Sequence, residues 1–102
     1  MSAADADAPV TDNPLHSRFE LALSGCVAFI DYQRTGTRYV LTHAEVPATL
    51  RGRGIGAQLT AGALQLVRAQ GGSVIARCPY VAQFIEHNAQ YQGLFPFTYT
   101  RH

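Results

Sequence analysis

The segment Arg51-Gly52-Arg53-Gly54-Ile55-Gly56 puts glycine at every second position, and a helical pattern from Ala57 to Gln70 begins directly after it. Without Cβ atoms these positions tolerate left-handed backbone and let another group approach the main chain closely. The first N–H groups of the following helix have no intrahelical partner, and the positive end of its dipole points back into the loop. A corner of this kind suits phosphate or diphosphate oxygens, and Arg51 and Arg53 add forked, positively charged donors. A turn that only redirects the chain needs neither the cations nor the helix start.

Upstream of this corner the chain reads as three strands. Arg18 to Leu23 alternates Phe19, Leu21 and Leu23 on one face. Ser24-Gly25 is a tight break, Cys26 to Gln33 is a second β-rich run, and Arg34-Thr35-Gly36-Thr37 is the next turn. Arg38 to Val46 is a third strand with Val40, Thr42, Ala44 and Val46 on one side, ended by Pro47, which withholds a ladder donor. The gaps are too short for crossover helices, so these runs form an antiparallel meander.

Downstream, Ile55, Leu59, Ala63, Leu66 and Val67 share one helix face. Gly71-Gly72 closes that helix, with Gly71 as a left-handed cap. Ser73 to Arg77 is a fourth strand, parallel to the third because a helix intervenes. Pro79 opens a second helix reaching from Tyr80 to Tyr91, and Phe95 to Thr100 is a last short strand. The fold class is α/β (α+β), a mixed, mostly antiparallel sheet flanked by two helices.

With 102 residues, 47% of them hydrophobic, the chain forms one domain. Residues 1–17, rich in Ala, Asp and Pro, read as a disordered tail ahead of a domain at 18–102. No apolar run approaches a membrane span, and the acidic start lacks the layout of a signal peptide, so a cytoplasmic location is expected. From Arg18 onward eight arginines face four carboxylates, a net +4. That balance suits a small anionic ligand and is too thin for a nucleic-acid surface. Cys26 and Cys78 lack metal-ligand spacing, and His87 reads as a solvated helix residue, so no metal is expected.

A Walker loop would end in Gly-Lys-Ser/Thr, and this chain has no lysine. A dinucleotide fold wants an acidic residue after the next strand, where Arg77 stands. There remains a loop for the diphosphate of some other nucleotide-bearing cofactor. Arg51-x-x-Gly54-x-Gly56 resembles the Arg/Gln-x-x-Gly-x-Gly/Ala signature of the GNAT superfamily of N-acetyltransferases, and the order of elements is similar. More narrowly, Glu45-Val46-Pro47, Leu50 to Gly56, and Cys78-Pro79-Tyr80-Val81 with Phe84-Ile85 resemble the short, single-domain GNAT-like proteins. The resemblance runs over nearly all of Arg18 to Leu94.

This resemblance implies acetyl-CoA as cofactor. Arg51, Gly52, Arg53, Gly54, Ile55 and Gly56 would hold the coenzyme A diphosphate, Val46 would lie beside the pantetheine arm, and Asn88 near the coenzyme. It also implies His43 and Cys78 as the catalytic pair. Tyr91 matches a coenzyme-side position as well, although packing of the second helix on the sheet accounts for it better. Usual members insert two helices between the first two strands as an acceptor wall; here Ser24-Gly25 alone separates Leu23 from Cys26.

The residues also support Cys78 directly. It ends the fourth strand at a helix start, where the dipole and nearby cations favour thiolate over thiol. A small buried core cysteine is the competing reading, and the one adopted for mid-strand Cys26. Tyr80 reads either as a proton donor or as a half-buried ring. The expected activity is acetyl transfer from acetyl-CoA to an amine, directly with His43 or Glu45 as base, or through Cys78. The alternative is a coenzyme A-binding module without catalysis; a Cys-His hydrolase lacks an orienting third group. A monomer or weak homodimer is expected, a second copy completing the open acceptor side.

Overall fold

The computed structural model describes residues 9–23, 25–52, 54–88, 91 and 98–99. Strands β1 (Thr11–Asn13), β2 (Arg18–Leu23), β3 (Cys26–Thr35) and β4 (Arg38–Glu45) are followed by a 3-10 turn at Ala48–Leu50 and helix α1 (Ile55–Ala69). Strand β5 (Ser73–Ala76), helix α2 (Pro79–His87) and strand β6 (Thr98–Tyr99) complete the order. The strands form one sheet in chain order, antiparallel from β1 to β4 and parallel from β4 through β5 to β6. The mixed, mostly antiparallel sheet with two helices is as the sequence pattern implies.

Alternation explains which sheet face is covered. Phe19, Leu21 and Leu23 of β2 are buried, as are Ala28, Ile30 and Tyr32 of β3. On β4 the buried residues are Tyr39 and Leu41, which corrects the expectation that Val40, Thr42, Ala44 and Val46 form one face. Register supplies the reason. Tyr32 pairs with Leu41 but Asp31 pairs with His43, so Thr42 is an extra residue, a bulge that shifts the phase of the alternation. Beyond it Ala44 lies opposite buried Ile30, while His43 and Glu45 lie opposite Asp31 and Phe29.

Helix α1 lays Leu59, Ala63, Leu64 and Val67 into this core, with Leu64 rather than Leu66 fully buried. Its end is a Schellman motif: Gly72 N–H donates to Val67 O at 2.9 Å and Gly71 N–H to Arg68 O at 2.9 Å, with Gly71 at φ 68°. Gly72 is sterically enclosed, because a Cβ there would lie 2.7 Å from the main-chain oxygen of Thr37. Gly72→Ala is therefore expected to lower stability by about 1–3 kcal/mol, as overpacking against backbone does, read as a lower urea midpoint.

The N-terminal expectation needs correction. The folded part begins before residue 18, because Thr11, Asp12 and Asn13 pair with Glu20, Phe19 and Arg18. Val10 packs on α1 so closely that a Cβ at Gly62 would meet its side chain. Tyr32 Oη donates to Asp12 Oδ1 at 2.6 Å, and burial together with that carboxylate pushes the phenol's pKa well up. Composition does not register such an edge strand, whose order comes from a neighbour's unpaired backbone. Residues 1–8 lie outside the described residues.

Candidate functional site

The site is built where β4 outruns its partner. β4 pairs with β5 only from Arg38 to Leu41, whereas Phe29, Ile30 and Asp31 of β3 follow it as far as Glu45. At the parting point Leu41 O accepts from both Arg77 N–H (2.9 Å) and Cys78 N–H (3.0 Å). The bulge at Thr42 sits at this same level, and bulges re-aim the strand that carries them. The β5 side of β4 from His43 to Glu45 therefore has no strand pairing among the described residues.

The loop that follows is anchored and open. Leu50, 1% exposed, pins the 3-10 turn into the core, and Arg51 Nε donates to Val46 O at 3.0 Å, tying the two ends of the loop together. Gly52 and Gly54 adopt φ of 81° and 73°, and a Cβ on either would meet nothing within 4 Å. They are glycines because of their left-handed backbone. Gly54 is the N-cap of α1 and provides no side-chain cap, while Gln58 N–H makes the bond back to Gly54 O at 3.0 Å. The amides of Ile55, Gly56 and Ala57 therefore face the loop as helix-end donors. The expected contribution of Arg53 lies outside the described residues.

A cleft of about 220 Å³ runs along this loop, lined by Val46, Arg51, Gly52, Gly54, Gly56 and Tyr80 among others. Tyr80 also lines a second cleft of about 180 Å³ with Gln83, Phe84, His87 and Asn88. Burial and the neighbouring Cys78 raise the Tyr80 pKa, which keeps its hydroxyl a donor near neutral pH. Only the glycine at 56, within the first helical turn, hinted in the sequence that a large side chain comes close, and nothing there named the partner.

Cys78 caps α2 with Pro79 at its first position, but it is 5% exposed and belongs to the core cluster. His43 is exposed, with Nε2 3.3 Å from Glu45 Oε1 and its ring 6.3 Å from that of Phe29. No hydrogen bond joins His43 to Cys78 among the described residues. Cys26 starts β3 and packs half-buried against the edge of the core, its Sγ 3.6 Å from Thr49 Oγ1. Helix α2 ends at His87, short of the expected Tyr91. Asn88 caps it by donating to Phe84 O at 2.8 Å, and Tyr91 packs against Phe84 with Gln65 donating to its hydroxyl at 3.4 Å. Among the described residues there is no cluster of metal-ligating side chains and no helix long and apolar enough to cross a membrane.

Residues 18–94, from β2 through the loop and past α2, match the family model of the GCN5-related N-acetyltransferases. This chain belongs to that family. It is accordingly an N-acetyltransferase by class. Protein NATD1 of Bos taurus is 35% identical over 97 residues, covering 85% of this chain and 86% of that protein. The Homo sapiens NATD1 protein is 35% identical over 74 residues, 70% of this chain and 66% of its own length. The solution structure of a GCN5-like protein from Staphylococcus aureus superposes with a TM-score of 0.67 at 19% identity, covering 95% of this chain and 94% of that one. That neighbour shares the fold.

Proposed function

We propose that this GNAT chain moves an acetyl group from acetyl-CoA to an amine acceptor. The observation that carries the reading is the junction itself: a strand edge without a pairing partner among the described residues runs directly into a left-handed glycine corner and a helix start without a side-chain cap. The residues fit the cofactor. Open space over Gly52 and Gly54 admits phosphoryl oxygens to the amides of Ile55 to Ala57. The edge of β4 up to Val46 offers main-chain groups to an arm that carries amides of its own, as an added strand would. When bound, acetyl-CoA supplies an activated thioester carbonyl.

The protein must make the amine nucleophilic. A free alkylammonium has a pKa of about 10, so it arrives protonated and must lose a proton before attack. His43 is exposed at the end of β4, with Glu45 holding its ring, and it is the base in this reading. Direct transfer is favoured over a relay through Cys78, because the thiol is buried and lacks a bond to His43. The immediate β2–β3 connection through Gly25, with no helical wall, favours a second reading in which the chain binds coenzyme A without transferring from it.

Calorimetry with CoA and acetyl-CoA, followed by thiol-release assays on peptides with free N-termini, lysine peptides and polyamines, tests both. Saturable binding with amine-dependent CoA release is expected. Absence of binding ends the coenzyme reading, and binding without release leaves the module.

A further inference from the structure

The glycine at 56 has a different cause from those at 52 and 54. It lies in the first turn of α1 and carries no positive φ, so backbone strain does not demand it. A Cβ there would fall 2.5 Å from Tyr80 Oη and 2.9 Å from Tyr80 Cζ. A helical Cβ leans toward the helix N-terminus, so the space given up at position 56 lies at the mouth of α1, where the phenol now sits. Tyr80 comes from the first turn of α2, two residues after Cys78, and is 43% exposed. Among the described residues its hydroxyl has no hydrogen-bond partner, and its ring stands between the two clefts.

We propose that Tyr80 is a side-chain arm of the diphosphate cradle, its hydroxyl donating to a phosphoryl oxygen held by the α1 amides, and that glycine stands at 56 to admit it. This inference rests on the coenzyme A reading above. It extends that reading from main-chain donors to a side chain brought in by the other helix. The chemistry is that of a neutral O–H donor to a charged acceptor, stronger than a neutral pair and lost when the hydroxyl alone is removed. A phenol that stays protonated near neutral pH suits this role.

The test is calorimetric titration of wild type, Tyr80→Phe and Gly56→Ala with CoA, with inorganic pyrophosphate and with pantetheine, alongside thermal melting. Tyr80→Phe keeps the ring, and is expected to bind CoA and pyrophosphate roughly tenfold more weakly, as loss of one hydrogen bond to a charged group implies, while pantetheine binding is unchanged. Gly56→Ala pushes aside only the far end of an exposed side chain, so it should melt no lower than wild type yet lose CoA affinity comparably. In a Tyr80→Ala background the Gly56→Ala change should have no further effect, because the group it displaces is gone. A Tyr80→Phe protein that binds CoA as wild type does overturns the proposal and leaves the coenzyme reading standing. Wild type that binds none of the three probes overturns both.

Discussion

Gly54→Val is expected to weaken CoA binding by at least about a hundredfold while leaving a folded protein, the loss of two hydrogen bonds to charged oxygens being of that order. The reason lies in backbone and not in crowding. Gly54 sits at φ 73° and ψ 15° as the N-cap of α1, and a side chain there would meet open space. A β-branched residue in that region pays roughly 1–2 kcal/mol, and the loop escapes by turning its peptide planes. That escape swings the helix-end amides off their common focus. Gly36 provides the control, since it has φ 62° with open space around it but belongs to the β3–β4 turn. Gly36→Val should lower the melting temperature comparably and leave CoA affinity intact. Calorimetry and thermal melting on both variants separate the cases, and full-affinity binding by Gly54→Val would remove the basis of the site.

The second large effect concerns catalysis. His43→Ala is expected to cut acetyl transfer by roughly 10²–10³, the usual contribution of a positioned base, with CoA affinity within about twofold of wild type. His43 is exposed on β4 beside its partner Glu45 and is not among the residues lining the cleft along the glycine loop, so binding and chemistry should divide cleanly. Glu45→Gln should produce a milder loss by releasing the ring from its orientation. Cys78→Ala should retain most transfer, and intact mass after incubation with acetyl-CoA should show no acetyl adduct (about 42 Da) on wild type. An adduct that disappears in Cys78→Ala, together with loss of turnover there, would reverse the assignment and make the buried thiol the acyl carrier.

These two predictions draw on different kinds of legibility. The corner could be read locally, because left-handed glycines, a helix start and arginine all leave marks within six residues. The hairpins, the Gly71 cap and the parallel entry of β5 were legible for the same reason: turn chemistry and a crossover helix restrict the chain over short distances. The side of the sheet on which His43 stands was not legible. It depends on Thr42 being an extra residue opposite Asp31 and Tyr32, and such an offset exists only once β3 is alongside. Without the bulge, alternation from Leu41 would set His43 on the same face as the core.

Edge strand β1 and the Tyr80–Gly56 contact belong with the bulge. Thr11–Asn13 is ordered by the free backbone edge of β2 and by Tyr32 reaching Asp12, neither of which a composition of Ala, Asp and Pro registers. Tyr80 is brought to the mouth of α1 by the packing of one helix start beside another, across 24 residues of chain. Backbone conformations and turn types were thus encoded by neighbours along the chain, since they follow from each residue's own steric limits. Which side chains face one another, which face a strand presents, and where a strand edge is left free were decided only by packing, because those are properties of pairs distant in sequence.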